Sequence, residues 1–283
     1  MIDETVEEIR AMQTHSSSVV AVKAARALED LLDREFATVE EYERALERNS
    51  SALRRAAPSH ASLWTTQREI IEAVTEGSFD SVEAAQDRTA EAIDTVIETV
   101  ETAKSRAAEN AAEALTDGET ILTHDYSSTV IQGFEVAADR GKHFTVYVTE
   151  ARPRYLGRKA ARHLATVDGI TTTLIVDSAS GYYLDKCDRV MVGMDCIVGD
   201  LFYNRVGTYT LAATAADVGV PVQAVGSSAK LVSEGFRFEN DFRDASEVMR
   251  EPADGFEIGN PAYDATPTRL LDAVITDDGL AEY

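Results

Sequence analysis

Over the first hundred or so residues, apolar side chains recur every three or four positions: Val6, Ile9 and Met12, then Val19, Val22, Ala25 and Leu28. That period sets them on one face of a helix. Residues 81–115 are rich in Ala and Glu and free of Pro and Gly, which favours helix strongly. Asp80-Ser81 supplies a start signal and Gly118 a stop. The spacing predicts a helical domain over residues 1–117, of about five helices. Its breaks are expected near Thr14 to Ser18, Asn49 to Ser51, Pro58 and Gly77-Ser78.

From residue 118 the pattern changes. TILTH, FTVYVTE, TTTLIVDSA, RVMVGMD and VPVQAVG are short, β-branched and apolar on both faces, as strands covered on both sides are. Helix-like stretches at 129–140, 157–166, 180–186 and 207–218 separate them. Strand and helix in alternation predict an α/β fold, a doubly wound, mostly parallel Rossmann-like sheet domain over residues 118–283. Residues 233–258 read as an acidic loop or insertion, and LLDAVITDDG offers one more strand. The sequence holds no dinucleotide fingerprint, phosphate-loop motif or internal repeat.

Charge changes the picture of the surface. The 283 residues carry 50 acidic and 27 basic side chains, a net charge of −23, and only six of the basic residues are lysines. Such an excess repels itself in dilute buffer and is screened in molar salt, where the Debye length falls to about 3 Å. A cytoplasm rich in salt, as in a halophilic archaeon, is therefore expected. Direct binding to DNA by so acidic a surface is not. No run approaches the roughly 18 apolar residues of a membrane span, and MIDETVEEIR lacks the basic and apolar regions of a signal peptide. Cys187 and Cys196 have no metal spacing and read as small buried apolar residues. No cofactor and no metal is expected.

Candidate chemistry lies at the carboxyl ends of the strands. THDYSS, TEARP, DSASGYY, GMD and GSSAK follow the five strands in turn, and loops at those ends converge on one crevice in an open parallel sheet. Ser127 and Ser128 stand where a helix start attracts an anion. The segments HDYSS, VYVTEARP, VDSASGYYLDKCDRVMVGMD, YNRVGT and NPAYDATPTRLLDAVITDDG resemble the translation initiation factor 2B alpha/beta/delta family. That superfamily includes the ribose-1,5-bisphosphate and methylthioribose-1-phosphate isomerases. The resemblance runs in order over residues 118–283, and the helical N-terminal half fits it too.

The resemblance implies site residues and departures from them. The isomerases pair a Cys after the Thr-His of the first strand-end loop with an Asp in a Gly-Ala-Asp turn. Here Asp195 stands in Gly193-Met194-Asp195, whereas Asp125 holds the place of the cysteine. The family's Asn-Lys phosphate pair appears as Asn204-Arg205, where Arg keeps the charge but changes the hydrogen-bond geometry. Lys230 matches the lysine after the fifth strand. The Arg- and Gly-rich N-terminal turn is Thr14-His15-Ser16-Ser17-Ser18 here, and a second phosphate-binding Arg is replaced by Ala57, beside Arg54 and Arg55.

Each of these residues has a structural reading as well. Asp125 serves equally as a helix N-cap, and Asp195 as a loop brace. Asn204 and Arg205 serve as anchors of the next turn, and Lys230 as a surface lysine. His15 and His124 read as satisfied structural histidines, and Tyr182 and Tyr183 as part of a subunit interface or the crevice rim. Two functions follow. The leading one is a non-catalytic regulatory or assembly protein like the alpha subunit of initiation factor 2B. It would self-associate through the α/β domain, contact initiation factor 2, and retain a crevice for a phosphorylated small molecule. The alternative is a sugar-phosphate aldose–ketose isomerase using Asp195 as acid and Asp125 as base, with Ser127, Ser128, Asn204, Arg205 and Lys230 on the phosphates.

Overall fold

The structure, a computed structural model, describes residues 2–11, 17–232, 235–251 and 254–282. Five helices open the chain: α1 (Ile2–Ala11), α2 (Ser17–Ala27), α3 (Val39–Ala56), α4 (Ala61–Thr75) and α5 (Val82–Ala114). Thr38 starts α3 by accepting from the Glu41 N–H, and Ser81 does the same for the Ala84 N–H before α5. One expected break differs, and another lies mostly outside the described residues. The one at Thr14 to Ser18 falls mostly on residues 12–16, outside the described residues, and His15 with it. The one at Asn49 to Ser51 is absent, because α3 runs through. Leu46 and Leu53 are fully buried on its apolar face, and Asn49 donates to the Ala45 carbonyl at 2.7 Å. Packing of that face overrides the poor propensity of Asn-Ser-Ser.

The chain forms two compact units. One takes the residues up to Thr102 together with Ala229–Glu239; the other takes Ala103–Ser228 and Asn240 onward. In the first unit, Leu28, Leu31, Tyr42, Leu46, Leu53, Leu63 and Ile70 form a closed core. The buried Tyr42 hydroxyl donates to Thr89 at 2.6 Å, so its polar tip is satisfied where water is excluded.

The second unit is the doubly wound sheet. Its elements in order are β1 (Thr120–Thr123), α6 (Ser128–Asp139), β2 (Phe144–Thr149), α7 (Leu156–Leu164), β3 (Ile170–Ile175) and α8 (Ser180–Leu184). Then come β4 (Arg189–Gly193), β5 (Cys196–Val198), β6 (Leu201–Arg205), α9 (Thr208–Val218) and β7 (Val222–Val225). The short β8 (Leu231–Val232) lies in the first unit. The last strands are β9 (Tyr263–Pro267), β10 (Ala273–Thr276) and β11 (Gly279–Glu282). The main sheet has the order β11-β10-β7-β4-β1-β2-β3, parallel except for β11 against β10. Ile121 of β1 and Met191 of β4 bury into one core with Phe134 and Val146; Leu122, Val190 and Val192 bury into the other with Phe202 and Leu211. The sheet is thus covered on both faces, as its all-apolar strands imply.

All five expected strands and four expected helices of this half form, and LLDAVITDDG supplies β10. The sequence pattern missed β5, β6 and β9, antiparallel neighbours in a second sheet, along with the closing hairpin strand β11. Both cysteines are buried, and burial pushes the Cys187 thiol up to about 11. Among the described residues, no helix is long and apolar enough to cross a membrane. Phe134 is fully buried and tilted against Phe144 at 5.7 Å. Phe134→Ala is expected to lower unfolding free energy by about 3–5 kcal/mol in a urea titration, with no change of m-value.

Candidate functional site

The sheet order contains one reversal. From β1 the chain steps through β2 to β3 on one side, whereas β4, β7 and β10 extend the other. Loops leaving the carboxyl ends of β1 and β4 diverge there, opening the crevice in which such sheets bind ligands. Asp125 sits two residues beyond β1 and Asp195 two residues beyond β4. The close approach needs Gly193 at the end of β4, because a Cβ there would lie 2.6 Å from both Cβ and Oγ of Ser127.

Asp125 does not cap α6. Ser127 does, its Oγ accepting from the Val130 N–H at 3.4 Å, and Ser128 is the helix's first residue. Asp125 is buried and has φ +64°, a left-handed conformation that Asp tolerates better than most residues. Its neighbour His124 explains how it is held. His124 is buried, with Nε2 at 2.8 Å from the Val206 carbonyl and Nδ1 at 2.6 Å from the Thr149 hydroxyl. A carbonyl only accepts, so Nε2 carries the hydrogen. One satisfied imidazole thereby joins the ends of β1, β2 and β6.

That junction brings Arg205, the last residue of β6, to Asp125, with Nε 3.5 Å from Oδ2. Arg205 also lies over the Tyr263 ring at 4.7 Å, its cross-strand partner on β9. Burial works against the guanidinium's charge. Asp195, the Tyr263 phenol, Asp125 and Asp241 outweigh that cost and hold its pKa above the ordinary arginine value. Asp195 is half-buried, its N–H donating to the Tyr203 carbonyl at 3.1 Å. Asn204, expected beside Arg205 as a ligand contact, is turned inward. It is 4% exposed and donates to Thr208 Oγ1 at 3.1 Å. The start of α9 is capped by Asp264, which accepts from the Gly207 and Tyr209 N–H groups.

Three arginines unrecognised in the sequence line the same crevice with Asp125 and Arg205: Arg152, Arg154 and Arg243. Arg152 is committed to the Tyr155 hydroxyl and the Val248 carbonyl, and Arg243 grips Glu247 with Nε and Nη2. Arg154 reaches Glu247 only at 3.9 Å, and its buried Nη1 has no hydrogen-bond partner. Burial, with Arg243 and Arg205 nearby, lowers its pKa from the usual arginine value. The enclosed space is about 20 Å³, room for roughly one water, so a sugar phosphate enters only if side chains shift. The Arg-Pro-Arg of TEARPRY was the available signal for Arg154, while Arg243 lay in the stretch read as an insertion. Lys230 belongs to the first compact unit and is half-buried. No group of three or more His, Cys, Asp or Glu residues able to hold a metal occurs among the described residues.

A sequence model described as the initiation factor 2 subunit family matches residues 13–282. The chain belongs to that family. Among family relatives, ribose 1,5-bisphosphate isomerase of Haloferax volcanii is 31% identical over 287 residues, covering 98% of this chain and 88% of its own. Five further archaeal relatives with that name match at 30–31% identity over nearly the whole chain. Of solved family structures, translation initiation factor eIF-2B of Pyrococcus horikoshii superposes with a TM-score of 0.82 at 26% identity, over 99% of this chain and 96% of that one. The 5-methylthioribose 1-phosphate isomerase of the same organism gives 0.77 at 26%, over 99% and 84%. The regulatory role that led on sequence grounds is overturned by the six isomerase-named, full-length relatives, and the expectation of a non-catalytic chain falls with it.

The contact between β4 and the α6 cap is testable by a double-mutant cycle. Gly193→Ala is expected to destabilise the protein in urea. Ser127→Gly alone should cost only about a few tenths of a kcal/mol. Together they should recover on the order of 1 kcal/mol relative to additivity.

Proposed function

We propose that the chain is a sugar-phosphate aldose–ketose isomerase of the ribose 1,5-bisphosphate type, with Asp125 and Asp195 as its proton-transfer pair. The observation that carries this reading is Arg205, one guanidinium acting on both carboxylates at the reversal point of the sheet. The six archaeal relatives bearing that isomerase name support the substrate class.

The chemistry needs one acid and one base that exchange roles. Asp195 gives a proton to the ring oxygen as its bond to C1 breaks. Asp125 removes the proton from C2, and the freed C–H electrons form a C1–C2 double bond. In the second half Asp195 takes the C2 hydroxyl proton, C2 becomes a carbonyl, and C1 takes a proton back from Asp125. Both carboxyl groups end as they began. A guanidinium beside developing negative charge on the C2 oxygen lowers that barrier electrostatically. Phosphate contacts fall to Arg205 and to the α6 start at Ser127 and Ser128. Arg154 adds the unpartnered Nη1. Asn204 acts on this view by bracing the turn that carries Arg205.

The test is conversion of ribose 1,5-bisphosphate to its ketose by the purified chain in molar KCl, followed by NMR. Asp195→Asn and Asp125→Asn are each expected to lower kcat by about 10²–10⁴-fold. Arg154→Gln should raise KM more than it lowers kcat, as loss of uniform substrate binding does. No conversion by the native chain, or full turnover in both Asp variants, sinks the reading.

A further inference from the structure

Two strand-end loops, TEARP after β2 and DSASGYY after β3, meet through one carboxylate. Asp177 Oδ1 accepts from the Ala151 N–H at 2.8 Å, and Oδ2 accepts from the Arg152 N–H at 2.7 Å. The loop it grips is drawn tight. Ala151 and Tyr155 both take left-handed conformations, at φ +56° and +59°. A Cβ disfavours that region, and a residue stays there only when its surroundings impose it. The Tyr155 N–H closes the turn on the Ala151 carbonyl at 2.8 Å. Just beyond, Gly157 presses on the end of β2, where a Cβ would lie 1.8 Å from the Thr149 carbonyl oxygen. Arg154 is carried between these fixed points.

The charges around this loop are allotted in a definite way. Glu150 accepts from Arg158 Nη2 at 2.7 Å, and Arg158 stacks on the Tyr155 ring at 3.8 Å. Both Asp177 oxygens are engaged by backbone N–H groups. Arg154 lines the crevice, with Glu247 at 3.9 Å and a buried Nη1 that has no hydrogen-bond partner. A carboxylate that accepts from two successive N–H groups is, by itself, an ordinary loop brace. What exceeds a brace is the residue carried. A buried donor without a partner costs stability, and so do two left-handed residues with side chains. Both are kept at the crevice, where a group fixed before its ligand arrives binds it better.

We propose that Asp177 is the positioning residue for Arg154: by clamping the Ala151 and Arg152 N–H groups it sets the loop so that the guanidinium stands ready for a phosphate oxygen of the substrate. The proposal rests on the isomerase reading of the crevice, and Asp177 acts in it through Arg154. A loop that ordered only on binding would lose affinity to the entropy of ordering it. Loss of the clamp therefore shows in substrate binding more than in the chemical step. Asp177→Asn keeps the size and one acceptor oxygen. Its amide nitrogen then faces a backbone N–H, donor against donor, and one of the two bonds is lost.

The test compares the native full-length chain, Asp177→Asn, Arg154→Gln and the double variant in molar KCl. Binding is measured by calorimetric titration with ribitol 1,5-bisphosphate, which has no aldehyde carbon to isomerise, and turnover with ribose 1,5-bisphosphate by NMR. Asp177→Asn is expected to weaken binding roughly tenfold, about the worth of one oriented hydrogen bond, and to raise KM more than it lowers kcat. In the Arg154→Gln background the same substitution should change Kd by less than about twofold, because the group it positions is gone. An equal loss in both backgrounds overturns the proposal, since a purely structural brace acts without Arg154. Native-like binding by folded Asp177→Asn overturns it too. Circular dichroism and urea midpoints identify the folded variants. Asp177→Glu, with both acceptors on a longer arm, repeats the comparison if the Asn variant does not fold, and failure of both to fold assigns Asp177 to the fold alone. Turnover without coupling between Asp177 and Arg154 upholds the isomerase and sinks the clamp. Coupled binding without turnover does the reverse, and no binding by the native chain removes both.

Discussion

Two hydrogen bonds from one buried imidazole set the geometry on which the crevice depends. His124 donates to the Val206 carbonyl and faces the Thr149 hydroxyl, so the ends of β1, β2 and β6 cannot move independently. The residues next to its anchors are the candidate site residues: Asp125 follows His124, and Arg205 precedes Val206. A loop-borne carboxylate and a strand-borne guanidinium, 80 positions apart in number, are thereby held within 3.5 Å. The imidazole achieves this by being fully used. Buried and satisfied on both nitrogens, it has no free lone pair or hydrogen for chemistry, and it acts as a positioning residue.

The electrostatics follow from that placement. Arg205 is buried, which alone would disfavour its charge, yet carboxylates on several sides more than compensate. Among the described residues, the crevice holds four arginines, with Asp125, Asp195, Asp241 and Glu247 among their charge partners. Arg152 and Arg243 are tied to partners within the fold, and Arg154 is left with one nitrogen unpartnered.

The family hosts proteins named for translation initiation and proteins named for sugar-phosphate isomerisation on one architecture. A fold of this kind does not choose between them; the site does. Asp125 in the position where the resemblance implies cysteine first pointed away from catalysis. Asp195 is a second carboxylate among the charges that raise the Arg205 pKa, and on the proposed reading it partners Asp125 without any thiol.

The alternation of short β-branched blocks with amphipathic stretches was enough, without coordinates, to give the Rossmann-like half, its five parallel strands, and the strand ends at Asp125 and Asp195. Those signals are local, written within one element and its caps. Other features depend on partners distant in the chain. The hairpin β5–β6 reads as a loop until β9 pairs with it. The stretch 233–258 reads as an acidic loop or insertion until Phe236 packs on Trp64. Asn49-Ser50-Ser51 reads as a break until Leu46 and Leu53 bury their common face. Arg154 and Arg243 are ordinary surface arginines until the loops after β2 and β8 meet. Sequence determined which segments become helix or strand because short-range sterics and periodicity decide that. Only the tertiary structure decided which charges meet, because that depends on burial and on contacts between segments that no local pattern records.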